Sequence, residues 1–233
     1  MRRSQTSYAI SLKVPAIMLE QDSPLRARLP VLILLGIITL VSIIDWIHGL
    51  GAWMMVPDKV MSAWADLRDG NSDGETWTIL ATTLTAEFLH GSGAHLIGNL
   101  LFLWIFGVVV FELCGWRWMV AVFLITGIGG SIGQIMLETD SMIPTLGASG
   151  GLMGLEGFYF GLAFQRERPP ASVWPIARPI SAEQLALAGV IGVTLDFAGA
   201  IDGGGGIAYG AHIGGFVSGI LLSLIADRFV RPV

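Results

Sequence analysis

Charged residues and cysteines are both scarce in this chain of 233 residues. Only 13% of the residues are Asp, Glu, Lys or Arg, whereas soluble globular domains carry about 25%. Cys114 is the single cysteine, which excludes an internal disulfide and a metal site built from thiolates. The 13 basic residues form no stripe, so we expect no nucleic-acid partner. The low charge excludes an ordinary water-soluble domain.

Apolar residues take the place of the missing charges. Hydrophobic residues make up 53% of the chain, and the mean hydropathy is +0.70. Six stretches approach the roughly 20 apolar residues that a membrane-spanning helix needs. The sequence therefore predicts an all-α membrane protein, a bundle of six transmembrane helices in one domain. The predicted spans are Val31–Ile47, Ala94–Leu113, Trp118–Leu137, Ser149–Phe164, Glu183–Ala200 and Tyr209–Ile225.

The positions of Lys and Arg predict the orientation of the chain. Eleven of the 13 fall in the two terminal segments and in the connections after the second and fourth spans. Cytoplasmic segments of multi-pass membrane proteins carry such an excess. We therefore expect both termini in the cytosol. Residues 1–29 are predicted as the N-terminal tail, residues 30–228 as the membrane domain and residues 229–233 as the C-terminal tail.

The first outer connection, about residues 49–93, is too long for a plain connector. Within it Val60, Met61, Trp64 and Leu67 recur at helical spacing, which predicts a short amphipathic helix. Tryptophan is enriched where a membrane meets water. We therefore expect this helix to lie in the outer interface, and a packed soluble hairpin is the alternative.

Polar residues are predicted to meet at the outer ends of the second, fourth and sixth spans. Ser149 opens the fourth span, where helix N–H groups are unpaired and the helix dipole is positive. His95 and Asn99, four residues apart, share one face of the second span. His212 lies about one turn into the sixth span. Because a serine needs a neighbouring base to become a good nucleophile, this pattern favours a Ser-His catalytic site.

Glycines follow both Ser149 and His212 in the sequence. Gly150 begins a series of glycines along one face of the fourth span, and Gly215 and Gly219 share a face with His212. Small residues at such spacing let helix backbones approach closely. The glycines predict close packing of these two spans whether or not the site is catalytic.

The histidines could instead bind a metal ion. His90 and His95 are five residues apart, which turns them about 140° from each other on a helix. The chain also has no H-E-x-x-H motif, the pattern that places two ligands on one helix face. We therefore expect neither a metal ion nor another cofactor.

Three motifs follow one another along the chain. They are E-F-L-H-G-S-G-A-H-L-I-G-N over residues 87–99, G-A-S-G over residues 147–150 and A-H-I-G-G-F-V-S-G over residues 211–219. Together they closely resemble the rhomboid family of intramembrane serine proteases, in its six-helix bacterial form. The resemblance covers about residues 75 to 225. It implies a rhomboid-like bundle of six transmembrane helices with a long first loop at the membrane interface.

The resemblance also implies a role for each matched residue. Ser149 would be the nucleophile and His212 the general base. His95, Asn99 and the Ser149 backbone N–H would form the oxyanion hole, with Gly147 as part of its support.

Three further positions are compared with the same family pattern. His90 matches a motif position for which a structural role is implied. Met153 stands where an aromatic residue commonly packs on the catalytic histidine ring, and a thioether makes a similar soft contact. Trp77-Thr78 stands where Trp-Arg is usual, so an anchor in the first loop is altered.

The implied activity is hydrolysis of peptide bonds in or near transmembrane segments of other membrane proteins. The partners would be these substrates and the lipid bilayer, and the location a bacterial inner membrane. Two alternatives stay open. One is a non-proteolytic, rhomboid-like protein that binds membrane clients. The other is a small transporter that uses Glu156, Asp196 and His212 as a proton path.

Overall fold

The computed structural model describes residues 28–165, 173, 180–202 and 206–226. These residues are mostly helical, with short 3₁₀ turns at Gly51–Trp53 and Ala86–Phe88. An isolated bridge joins Met55 to Thr145, and the described residues contain no longer strand. The predicted all-α fold class is confirmed. The α-helices of the described part are α1 (Leu29–His48), α2 (Pro57–Arg68), α3 (Gly74–Thr85), α4 (Gly93–Cys114), α5 (Trp116–Leu137), α6 (Ser149–Gln165), α7 (Ala182–Asp202) and α8 (Tyr209–Ala226).

Each of the six predicted spans coincides with a helix, and the ends differ by no more than two residues. Within the described residues, α1, α4, α5 and α8 are long and apolar enough to cross a membrane, with mean hydropathies from 1.5 to 2.4. Large apolar side chains such as Ile37, Leu101 and Leu221 are exposed on their surfaces. Such an apolar surface suits contact with lipid. The chain is therefore an integral membrane protein with several spans.

The two predicted tails fall almost wholly outside the described residues, as does most of the connection between α6 and α7. The orientation in the membrane therefore stays a prediction. At the edge of the described part, Arg28 Nη2 pairs with Glu112 Oε1 at 2.6 Å. This ion pair joins the start of α1 to the end of α4, so these two ends lie at one face of the bundle.

The helix α6 lies at the centre of the bundle. It packs against α4, α5, α7 and α8. Leu152, Leu155, Phe158 and Tyr159 are each at most 1% exposed. A helix that is apolar on all sides belongs in the interior. Because α6 is central, its first residues open into the middle of the bundle, where α4, α5 and α8 surround them.

Glycines allow α6 and α8 to touch through their backbones. A Cβ added at Gly215 would overlap the carbonyl oxygen of Gly150, and one added at Gly219 would overlap that of Gly154. This is the close approach that small residues permit between membrane helices. The contact fixes the depth of the α6 N-terminus relative to the first turns of α8.

The connection between α1 and α4 contains two α-helices, whereas the sequence predicted one. The expected amphipathic segment forms α2, which buries Val60 and leaves Trp64 exposed. The additional helix, α3, begins after Asp73, whose carboxylate accepts the Thr76 N–H at 2.8 Å within a capping box. Apolar periodicity missed this helix, although the cap residues that start it are visible in the sequence. The exposed rings of Trp64 and Trp77 suit an interfacial position.

Candidate active site

The N-terminus of α6 carries the predicted nucleophile. Ser149 is the first residue of this helix and is half-buried. The carbonyl of Ala148 accepts the Leu152 N–H at 3.0 Å, which makes Ala148 the N-cap residue. The first N–H groups of a helix have no intrahelical partner. The hydroxyl of Ser149 therefore lies beside backbone donors that a developing negative charge can use.

The candidate base is on α8. His212 is the fourth residue of that helix and is half-buried. A Cβ added at Gly130 of α5 would lie 2.8 Å from the Ala211 carbonyl oxygen and 3.0 Å from the Gly150 Cα. The residue before His212 and the residue after Ser149 thus meet beside one glycine. Ser149 and His212 consequently lie at the same level of the bundle.

The loop before α6 brings the candidate oxyanion residues together. Gly147 has a φ of 123°, which side chains rarely tolerate. A Cβ there would lie 2.6 Å from His95 Cε1 and 3.6 Å from Asn99 Nδ2. The imidazoles of His95 and His212 are close enough to interact electrostatically. His95 and Asn99 of α4 therefore lie beside Gly147, which is two residues before Ser149. His95 is on the side that faces His212 of α8.

His90 connects three separate segments of the chain. Its ring is fully buried. Nδ1 lies 3.0 Å from Ser42 Oγ on α1, and Nε2 lies 2.8 Å from Asn99 Nδ2 on α4. The N–H of Ala148 approaches the same Nε2 at 3.5 Å. Because amide nitrogens donate, Nε2 accepts and Nδ1 carries the proton. The ring thereby fixes the amide of Asn99 next to the start of α6.

The electrostatic setting of His90 agrees with a neutral ring. It lies in the connection before α4, and burial, followed by the nearby His95, lowers the pKa of His90 to about 4. The ring is therefore neutral at pH 7, with one donor and one acceptor. The structural role implied for His90 by its motif position suits this geometry. Its partner Ser42 was not foreseen, and the only signal for it was a lone serine among apolar residues of the first span.

Glu87 was also missing from the predicted site residues. It lies in the 3₁₀ turn Ala86–Phe88, is 4% exposed, and accepts the Gly151 N–H through Oε2 at 3.0 Å. A carboxylate at the start of the first motif, in an otherwise apolar stretch, was the available signal. Its contact with α6 spans 64 residues of sequence, so no local pattern could identify the partner.

Two buried residues lie deeper in α6. Met153 is one turn after Ser149, and its predicted contact with the His212 ring stays a prediction. The carboxylate of Glu156 faces α7, since a Cβ at Gly189 would lie 3.1 Å from Glu156 Oε1. The side chain of Asp196, the second acid of the transporter alternative, falls outside the described part of the chain.

Comparisons with known proteins bear on the family. A family model described as Rhomboid domain matches residues 73–229. In Arabidopsis thaliana, RHOMBOID-like protein 5 is 26% identical over 162 residues, covering 69% of this chain and 46% of the relative. RHOMBOID-like protein 2 is 30% identical over 149 residues, covering 64% and 42%. RHOMBOID-like protein 6, mitochondrial, is 29% identical over 162 residues, covering 70% and 46%. The chain spans less than half the length of each of these relatives.

Proposed function

Because the chain belongs to the rhomboid family, we propose that it is an intramembrane serine endopeptidase. It hydrolyses peptide bonds in or near the transmembrane segments of other membrane proteins. One observation carries the proposal. The residues adjoining Ser149 and His212 meet beside Gly130, which supports the pairing of a nucleophile on α6 with a base on α8.

The chemistry follows from the groups at this junction. His212 takes the proton of the Ser149 hydroxyl as its oxygen attacks the scissile carbonyl carbon. The peptide C–N bond then breaks, and His212 gives its proton to the leaving amine. Water subsequently attacks the acyl-enzyme ester with His212 again as base. This releases the second product and restores Ser149.

The negative charge on the tetrahedral intermediate needs donors that are already in place. The Ser149 backbone N–H, the Asn99 amide and the His95 ring supply them, and a donor set held rigid in a dry site costs no reorganisation during the reaction. Two features support this assignment. His90 holds the Asn99 amide at 2.8 Å, and Gly147 lets the His95 ring approach the loop backbone.

The same proposal includes the membrane setting. The protein lies in a plasma membrane of bacterial type with both termini in the cytosol, and its reaction centre lies beneath the outer face. The distribution of Lys and Arg supports this orientation. The exposed tryptophans of α2 and α3 support an outer connection seated at the interface.

Covalent labelling tests the proposal directly. A fluorophosphonate should label the purified protein in detergent, and Ser149→Ala and His212→Ala should each abolish labelling and cleavage of a transmembrane substrate. The double variant should be no worse than either single one, because residues that act as a unit are not additive. Ser62→Ala, which removes an exposed serine of α2, is the matched control. A client-binding protein or a transporter would not label, and substantial cleavage by Ser149→Ala would refute the assignment.

A further inference from the structure

The buried carboxyl of Glu87 has no part in the chemistry above, yet it contacts the helix that carries the nucleophile. Oε2 accepts the N–H of Gly151 at 3.0 Å. Gly151 is the third residue of α6. This is the N–H that the side chain of an N-cap residue ordinarily satisfies. Glu87 therefore occupies the position of a helix cap, although it comes from another segment.

The N-cap residue of α6 cannot perform this function. It is Ala148, whose methyl group accepts no hydrogen bond, whereas Ser, Thr, Asp and Asn are the residues that stabilise helix starts. The 3₁₀ turn that contains Glu87 is fastened to the same loop, since the Ala86 carbonyl accepts the Gly147 N–H at 2.9 Å. The turn and the start of α6 thus form one hydrogen-bonded unit.

Two glycines leave room for the Glu87 side chain. A Cβ at Gly127 of α5 would lie 2.7 Å from the Glu87 Cδ, and one at Gly150 would lie 2.9 Å from Glu87 Oε1. Either side chain would displace the carboxyl. The absence of both side chains creates a fitted space at the junction of α5 and α6, directly behind Ser149.

We propose that Glu87 is a positioning residue that caps α6 from the preceding connection and holds the Ser149 backbone N–H toward the reaction centre. The inference rests on the proposed function. Gly151 and Ser149 belong to the same helical turn, so a bond that orients one N–H orients the other. A neutral acid accepts through its carbonyl oxygen and leaves the positive end of the helix dipole available to the oxyanion.

Ionisation of Glu87 would have the opposite effect. A carboxylate at this place would put a negative charge beside the position where the oxyanion forms. Burial raises the pKa of Glu87 to about 8, and the bond from Gly151 acts in the other direction. The carboxyl is therefore mostly protonated at pH 7 and ionises in the mildly alkaline range.

The charged and titratable groups around Glu87 do not pair with it. Among the described residues, no side chain forms a hydrogen bond or an ion pair with this carboxyl. The helix α1, which packs against the turn of Glu87, carries Asp45 and His48 near its end. The other neighbouring elements carry His90 in the same connection, His95 on α4, His212 on α8 and Glu156 further along α6, while Glu75 of α3 and Arg117 of α5 lie at the far ends of their helices.

The inference is tested by the rate of fluorophosphonate labelling at Ser149. This rate is measured on the full chain in detergent from pH 6 to pH 10. The wild-type rate should fall by about tenfold for each pH unit above pH 8, because the fraction of protonated Glu87 falls by that factor once the pH exceeds the pKa. Glu87→Gln keeps the shape and an acceptor, so it should label normally at pH 7 and show no alkaline loss. Glu138→Gln, at an exposed carboxylate, should behave as the wild type. An alkaline loss in Glu87→Gln equal to that of the wild type would overturn the inference.

Truncation gives a second measurement. Glu87→Ala leaves the Gly151 N–H without this acceptor and should label about tenfold more slowly at pH 7, because the Ser149 N–H is then no longer held toward the oxyanion. Recovery of the rate in Glu87→Gln would assign the effect to the hydrogen bond. Wild-type labelling by Glu87→Ala would contradict the capping role. The comparison of Glu87→Gln with the wild type stands even when Glu87→Ala does not fold.

A readout that needs no activity separates this inference from the proposed function. In the native protein Glu87 keeps its proton up to about pH 8, whereas in the unfolded chain it releases the proton above the ordinary glutamate pKa of 4.5. Because the native state binds this extra proton, the free energy of unfolding decreases as pH rises from about 5 to 8. The melting temperature of the wild type should therefore fall over this range relative to Glu87→Gln. Equal pH slopes would refute the buried neutral acid. Absence of any labelling in the wild type would instead refute the protease assignment and leave the slope test valid.

Discussion

Replacing Gly215 with alanine tests whether the contact between α6 and α8 sets the geometry of Ser149 and His212. The new Cβ would overlap the carbonyl oxygen of Gly150, and it needs about 3.4 Å for an ordinary contact. The two backbones must therefore separate by roughly 1 Å, because protein interiors have no spare volume. Overpacking of this kind costs about 1–3 kcal/mol in the free energy of unfolding.

The effect on catalysis should be larger than the effect on stability. A displacement of about 1 Å between reacting groups can reduce a rate by about 100-fold. We therefore expect Gly215→Ala to remain folded while fluorophosphonate labelling at Ser149 slows by about that factor. Gly36→Ala is the matched control, because a Cβ at this exposed glycine of α1 meets no atom within 4 Å. Labelling of Gly215→Ala at the wild-type rate, with the control also normal, would refute the proposed link between helix contact and geometry.

Three further predictions concern the oxyanion donors, the buried histidine and the topology. Asn99→Ala should reduce cleavage by about 10²–10³, the usual effect of losing one oxyanion donor, while labelling remains detectable above the Ser149→Ala background. His90 has a pKa of about 4 in the folded chain, below the ordinary histidine value of 6.5, so the melting temperature of the wild type should fall as pH decreases from 6.5 to 4. His90→Gln should show a shallower fall, and an equal slope would contradict the neutral buried ring. An impermeant maleimide added to intact cells should not label Cys114 at the end of α4 and should label it after permeabilisation, whereas labelling from outside would invert the predicted orientation.

The positions of the spans could be predicted from the sequence because they depend on local composition. A run of about 20 apolar residues must become a helix in a membrane, since backbone groups there need internal hydrogen bonds. All six predicted spans therefore match helices of the structure closely. Ser149, His95, Asn99 and His212 were candidates for a related reason. Each is a polar residue near the end of an apolar run, and all four lie within the motifs that resemble the rhomboid family.

The additional helix α3 shows where apolar periodicity failed although another local signal was present. Its start depends on a capping box between Asp73 and Thr76, which is a pattern of four residues. Apolar periodicity, the feature that predicts α2, is weaker in the segment that follows. The cap residues therefore give a local signal for the start of this helix.

The contacts that shape the candidate site depended on the tertiary structure alone. His90 joins Ser42 to Asn99, and Glu87 caps α6 across 64 residues. Ser42, Asn99 and Gly151 come from three different helices, and no spacing rule connects them. The same holds for Gly130, whose lack of a side chain lets Ala211 and Gly150 meet. Local hydrophobicity determines which segments become helices, whereas the packing of those helices determines which polar groups meet, because most of these contacts join residues that are distant in the chain.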